Sequence, residues 1–278
     1  MVMSNMMGPL LFAALAVICS QALHLASTGR VLVAGASGRV GRLVCQELLQ
    51  RENSTVTVRA LVRDVAKAKK AMAAIGIQPS PRFEIVKCDL SSASDVEATC
   101  QDGDAIIWTA TGFSDTSSNV NKLLALFKLK FTPQQSIDVA TLGQIGKIFS
   151  SKPKTGSPQV VVCSSAGVTR PAWTDAKKKE FEGCADIPIV RLNPFNILNL
   201  KAEGEQVLRE TGCDYAIVRP TGLNDKAAPG ARPLFSQGDV AVGRITRKDV
   251  ADVLVGVLAE PQVRLPPPWS PHLSDPRP

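Results

Sequence analysis

The run Val31-Leu-Val-Ala-Gly35-Ala-Ser-Gly38-Arg-Val-Gly41 constrains this chain more than any other stretch. Four apolar residues lead into three evenly spaced glycines, and Val40, Val44 and Leu48 then fall along one face of a helix. Each glycine has a separate physical task. Gly35 allows a tight turn out of the strand, Gly38 lets a ligand approach the backbone without a Cβ in the way, and Gly41 lets the helix pack close to the sheet. The amides from Ser37 through Gly38 and Arg39 to Val40 are expected to face the ligand from a helix N-terminus, where the dipole favours negative charge. Glycines alone would equally make a structural turn. A strand before them and a helix after them is the context of a dinucleotide's pyrophosphate site.

From Arg30 onward, short apolar runs alternate with helical patterns. Strands are expected at Val31–Ala34, Val56–Val62, Phe83–Val86, Ala105–Thr109, Gln159–Cys163 and Tyr215–Val218. Such apolar runs suit strands buried on both faces. A second helical stripe joins Ile197, Leu200, Gly204 and Leu208. The pattern predicts a Rossmann-type, doubly wound α/β fold, with a mostly parallel sheet and helices on both faces. It would occupy residues 29–261, between a targeting leader over 1–28 and a proline-rich tail over 262–278. With 45% hydrophobic residues the chain can build a full core.

The leader reads from the apolar run Leu10–Ile18 and its small-residue exit, although no Lys or Arg precedes Arg30. The formal charge of +7 does not imply nucleic acid, because the clusters Lys67, Lys69, Lys70 and Lys177–Lys179 read as solvated faces. Seven cysteines without a CxxC fit a reducing compartment, and neither a disulfide scaffold nor a metal site is expected. The long connection Gly112–Gln134 carries a basic, leucine-rich piece, Val120–Phe131. It reads either as a lid or peripheral membrane contact, or as a surface helix packed on the domain.

The end of the second strand selects the nucleotide. An acidic residue there would hold the ribose 2′-hydroxyl of NAD(H). The chain has Arg63, which can pair with a 2′-phosphate, so NADP(H) is favoured over NAD(H); a surface arginine paired with Asp64 is the alternative. After the third strand, Asp89 and Leu90 either reach the adenine or fix the turn before the next helix. Thr109, Ala110 and Thr111 end the fourth strand with small side chains, leaving room for a ribose or nicotinamide.

With these residues the chain resembles the atypical short-chain dehydrogenase/reductases, in the NAD(P)H-binding branch of NmrA-like and plastid-translocon-associated proteins. The resemblance spans about Arg30 to Pro261. It is carried by Gly35–Gly41, Leu61-Val-Arg63-Asp64, Cys88-Asp89-Leu90, Val162-Cys-Ser164-Ser165, Lys201-Ala-Glu-Gly-Glu205, Val218-Arg-Pro220-Thr-Gly222 and Arg247-Lys-Asp249. It implies cofactor contacts at Ser164, Lys201 and Pro220. Orthodox members place a tyrosine four residues before the lysine as general acid. Here that position is Ile197, and the single tyrosine, Tyr215, begins the sixth strand. Ser165, Lys201 and Asn196 are left as catalytic candidates, with Asn193 or water as a further proton relay. Asn193-Pro194 reads as the cap and first turn of that helix.

Two functions follow. One is an NADPH-dependent oxidoreductase acting on a small carbonyl or alkene; the other is a non-catalytic, NADP(H)-responsive scaffold. The signal-like leader points to the secretory route and the unpaired cysteines to a reducing space. The family likeness reconciles them in a plastid reached through a signal-like leader.

Overall fold

The computed structural model describes residues 29–51, 54–111, 137–226 and 233–258. The leader, the Gly112–Gln134 connection with Val120–Phe131, and the proline-rich tail lie outside them. Among the described residues no helix is long and apolar enough to cross a membrane.

In chain order the first half runs β1 (Arg30–Ala34), α1 (Gly41–Gln50), β2 (Thr57–Val62), α2 (Val65–Ala73), β3 (Phe83–Lys87), α3 (Ala93–Cys100), β4 (Ala105–Trp108) and α4 (Ile137–Ser150). After β5 (Val160–Cys163) come short helices α5 (Asp175–Glu180), α6 (Glu182–Ala185) and α7 (Pro188–Leu192), then α8 (Ile197–Glu210), β6 (Tyr215–Val218), β7 (Gly222–Asn224), β8 (Arg244–Thr246) and α9 (Arg247–Val257). The six strands expected from the sequence all form, each within a residue or two of its expected ends.

They make one parallel sheet in the order β3-β2-β1-β4-β5-β6. This is the doubly wound order, whose direction reverses between β1 and β4; ligands of such sheets bind in the crevice beyond the carboxyl ends of the strands at that reversal. Strand alternation divides the core into two layers. Val31, Val33, Val58, Ala60, Ile107 and Val161 pack with Val44 and Leu48 of α1, Met72 of α2 and Leu254 of α9. Leu32, Ala34, Leu61, Ile106, Trp108 and Val162 pack with Val96 of α3, Ile145 and Phe149 of α4, and Leu208 of α8.

One local expectation is corrected here. The buried stripe of α8 is Leu198, Lys201, Gly204, Glu205 and Leu208, so Ile197 and Leu200 flank it. Gly204 and Leu208 keep their expected places, and a 3₁₀ turn over Pro194–Asn196 precedes the helix, which begins at Ile197. Asn193 still caps the helix, its Oδ1 accepting from the Leu198 amide at 2.9 Å. Beyond the sheet, a small parallel pair joins β7 to β8. Its connection carries Asp239, whose carboxylate accepts from the amides of Gly167 at 2.7 Å and Thr169 at 2.9 Å. Arg170, buried, donates to the carbonyls of Asp239, Cys184 and Ala241. These bonds fix the loop that leaves β5 over the carboxyl edge of the sheet.

Candidate functional site

The glycine turn sits at the carboxyl end of β1, directly beside the end of β4. Gly35 has φ +75°, and a Cβ there would meet the Ala110 backbone at 2.7 Å. Gly38 closes the turn by donating its amide to the Gly35 carbonyl at 2.9 Å. That amide is therefore engaged inside the turn, a correction to the expectation that all four from Ser37 to Val40 face outward. Among the described residues, no atom accepts from the amides of Ser37, Arg39 or Val40. Helix α1 also begins without a side-chain cap, whereas Asp64, Ser92 and Thr246 cap α2, α3 and α9. Uncapped N-terminal amides at a backbone cradle that excludes Cβ atoms are what a pyrophosphate requires. The residues fit a dinucleotide.

Thr109 lines the same corner, its amide and hydroxyl both donating to the Ala34 carbonyl at 2.9 and 2.8 Å. Ala110 is buried against Gly35, and Thr111 follows at the surface. Arg39, exposed at the tip of the turn, pairs with Asp225, which also binds Arg247 at 2.7 Å. At the end of β2, Arg63 is exposed. Asp64 caps α2 by accepting from the Lys67 amide at 2.9 Å. Asp89 takes the turn-fixing role, accepting from the amide and hydroxyl of Ser91 at 2.9 and 2.7 Å. Those bonds, with the charges of Arg63 and Lys87, hold its carboxyl below the usual carboxylate range. Leu90 packs its side chain into the core, while its carbonyl accepts from Thr141.

The other half of the site lies at the carboxyl ends of β4 to β6. Lys201, buried, pairs with Asp138 of α4 at 3.5 Å, and Trp108 donates Nε1 to the same Asp138 oxygen at 3.1 Å. Ser164 donates to Glu205 at 2.6 Å, and Arg219 binds that carboxylate through both of its oxygens. Ser165 donates to the Ala166 carbonyl at 3.0 Å, and the Pro220 carbonyl accepts from the Ala166 amide at 2.9 Å. Ser164, Ser165, Lys201 and Pro220 are thus gathered around the ends of β5 and β6. Asn196 stands apart, exposed in a left-handed conformation, and Asn193 is engaged as a cap, so neither is placed by a local contact to relay a proton. Asp138, Trp108 and Arg219 were not expected from the sequence. The one available signal was two charged residues, Lys201 and Glu205, on the same stripe as Leu198 and Leu208. Among the described residues no group of His, Cys, Asp or Glu could hold a metal ion.

Burial alone would raise the Glu205 carboxyl, but the Arg219 and Ser164 hydrogen bonds and the charges of Arg219 and Arg209 outweigh it and leave it below its usual value. A carboxylate with a depressed folded pKa contributes stability that is present above the unfolded value of about 4.3 and is lost as pH falls through the lower folded value. Glu205→Gln is therefore expected to lower the melting temperature at neutral pH and to flatten the loss of stability below about pH 4. Melting curves across acid pH that stay parallel to wild type would contradict this.

These features define a Rossmann protein with a nicotinamide-dinucleotide site. A family model described as NAD(P)H-binding matches residues 35–261, and the chain belongs to that family. An uncharacterized chloroplastic protein of Arabidopsis thaliana is 29% identical over 236 residues, covering 84% of this chain and 73% of the relative. Protein TIC 62, chloroplastic, of the same plant is 24% identical over 246 residues; this chain spans only 34% of its length. Sanguinarine reductase of Eschscholzia californica is 27% identical over 258 residues, covering 84% of this chain and 85% of that enzyme. Among solved structures, a short-chain dehydrogenase/reductase from Veillonella parvula in complex with NADP has the same fold, with a TM-score of 0.52, 15% identity, and coverage of 83% and 87%.

Proposed function

We propose that the protein is an NADP(H)-dependent reductase of a small carbonyl or alkene, working in a plastid. The observation that carries the cofactor assignment is at the end of β2. Asp64, the carboxylate best placed to hold a ribose 2′-hydroxyl, is turned back to cap α2, and Asp89 is held by Ser91. Arg63 follows the last residue of β2 at the surface, with a planar guanidinium suited to a 2′-phosphate. A bound nicotinamide would supply the hydride. The chain would grip the pyrophosphate at Gly35, Ser37, Arg39 and Val40 and hold the nicotinamide half near Thr109, Ser164, Lys201 and Pro220. The likeness to sanguinarine reductase supports reductase chemistry, and the chloroplastic relatives support the compartment.

Arg63→Glu is expected to weaken NADPH at least tenfold more than NADH, since it removes a cation and places an anion against the 2′-phosphate. Equal losses for the two coenzymes would remove the case for NADP(H). Catalysis is tested by following absorbance of the reduced cofactor with a panel of quinones, enones and aldehydes. Turnover on at least one is expected. Tight NADPH binding with turnover on none would favour the scaffold reading, to which the missing tyrosine at position 197 already lends weight.

A further inference from the structure

Lys201 and Asp138 are a buried ion pair whose position is determined by three elements at once. Asp138 is 2% exposed and Lys201 7%. Helix α8 crosses α4 so closely at Gly204 that a Cβ there would overlap the Asp138 carbonyl oxygen. The contact continues one and two turns on, where a Cβ at Gly143 would meet Val207 at 2.6 Å and one at Gly146 would meet Thr211 at 2.5 Å. Lys201 lies one turn before Gly204 and so reaches the carboxylate of the residue whose carbonyl Gly204 touches. Trp108, the last residue of β4, holds the same carboxylate oxygen from the sheet side. The ammonium also acts on Cys163, the last residue of β5, whose thiol burial pushes up to about 11 and Lys201 draws down. Through the Asp138 oxygen it shares with Trp108, the charge sits at the carboxyl end of β4, on the same edge of the sheet as the glycine turn.

A buried ammonium without a counter-ion is costly, and a long lysine stem can hold its head in many positions. We infer that Asp138, locked by Trp108, is a positioning residue of the dinucleotide site: it keeps the Lys201 ammonium in one place as a fixed cationic donor toward the nicotinamide half. The inference deepens the reading above and rests on the same site. It differs from a purely structural ion pair in one respect, since Asp138 acts on the ligand only through Lys201.

The test is a double-mutant cycle read by NADPH affinity, followed through the fluorescence of the bound reduced cofactor, with thermal melting of each variant. Lys201→Met is expected to weaken NADPH about tenfold, the loss of one charge-assisted hydrogen bond. Asp138→Asn should weaken it severalfold, and Asp138→Glu should recover part of that loss. The double variant should bind no worse than Lys201→Met alone. Losses that multiply toward a hundredfold, or wild-type affinity in Asp138→Asn, would overturn the inference. If Asp138→Asn does not fold, Trp108→Phe serves instead: a twofold to threefold loss that vanishes in the Lys201→Met background supports the coupling, and an equal loss in both backgrounds sinks it. Coupling in the cycle with no turnover on any carbonyl or alkene would defeat the reductase reading alone; turnover with multiplying losses would defeat only the positioning role.

Discussion

Gly41→Val is expected to weaken dinucleotide binding about a hundredfold while leaving the sheet intact. A Cβ at position 41 would overlap the Gly35 carbonyl oxygen and lie 2.7 Å from Thr109 Oγ1 and 2.8 Å from Ala36 Cα. The first two are parts of the turn and of the β4 end that meet only because no side chain separates them. Relief requires α1 to back away from the strands, carrying the amides of Arg39 and Val40 with it. The phosphate grip depends on their placement to within a fraction of an ångström. NADPH affinity should fall about a hundredfold, roughly 2.7 kcal/mol, with a further cost of about 2 kcal/mol in stability from overpacking. Titration of NADPH fluorescence measures the first and denaturant unfolding the second. Binding within about twofold of wild type would show that this corner does not grip the phosphates.

The largest stability loss is expected from Gly204→Val on α8. Position 204 faces Asp138 backbone, not a side chain that could swing away, with the Asp138 carbonyl carbon 2.8 Å from a built Cβ. Overpacking of this kind costs about 1–3 kcal/mol. Separation of the helices would also pull Lys201 from Asp138 and leave two buried charges without partners, so the total should reach about 4 kcal/mol. That corresponds to a melting temperature lower by roughly 10 °C in a domain of this size. Glu203→Val, one residue away and exposed, is the control and should change stability by no more than about 0.5 kcal/mol. Equal losses in the two variants would mean that the cost comes from valine in the helix and not from the close crossing.

Most of what lies within a few residues along the chain was legible before any coordinates. The six strands, the glycine turn and its helix, and the cap at Asn193 all follow from steric rules acting between neighbours: apolar alternation, the freedom of glycine, and orphan amides at a helix start. The family likeness added the order of the pieces. Where a local rule was read on incomplete grounds it slipped by a small amount. The Gly38 amide closed its own turn, and the inward stripe of α8 carries Leu198 and Lys201 in place of Ile197 and Leu200.

Partner choice between distant residues was decided by topology. Nothing near Lys201 in the chain announces Asp138, 63 residues earlier, and nothing near Ser164 announces Glu205, 41 residues later. Lys201 meets Asp138 because the order β3-β2-β1-β4-β5-β6 lays α4 and α8 side by side on one face, and because glycines at their crossing let the backbones close. The amino-acid order thus determined the type of fold and the glycine corner proposed to take the phosphates, since both arise from short-range backbone chemistry. Only the tertiary structure determined which buried charges face each other, because that depends on which elements the crossovers bring into contact.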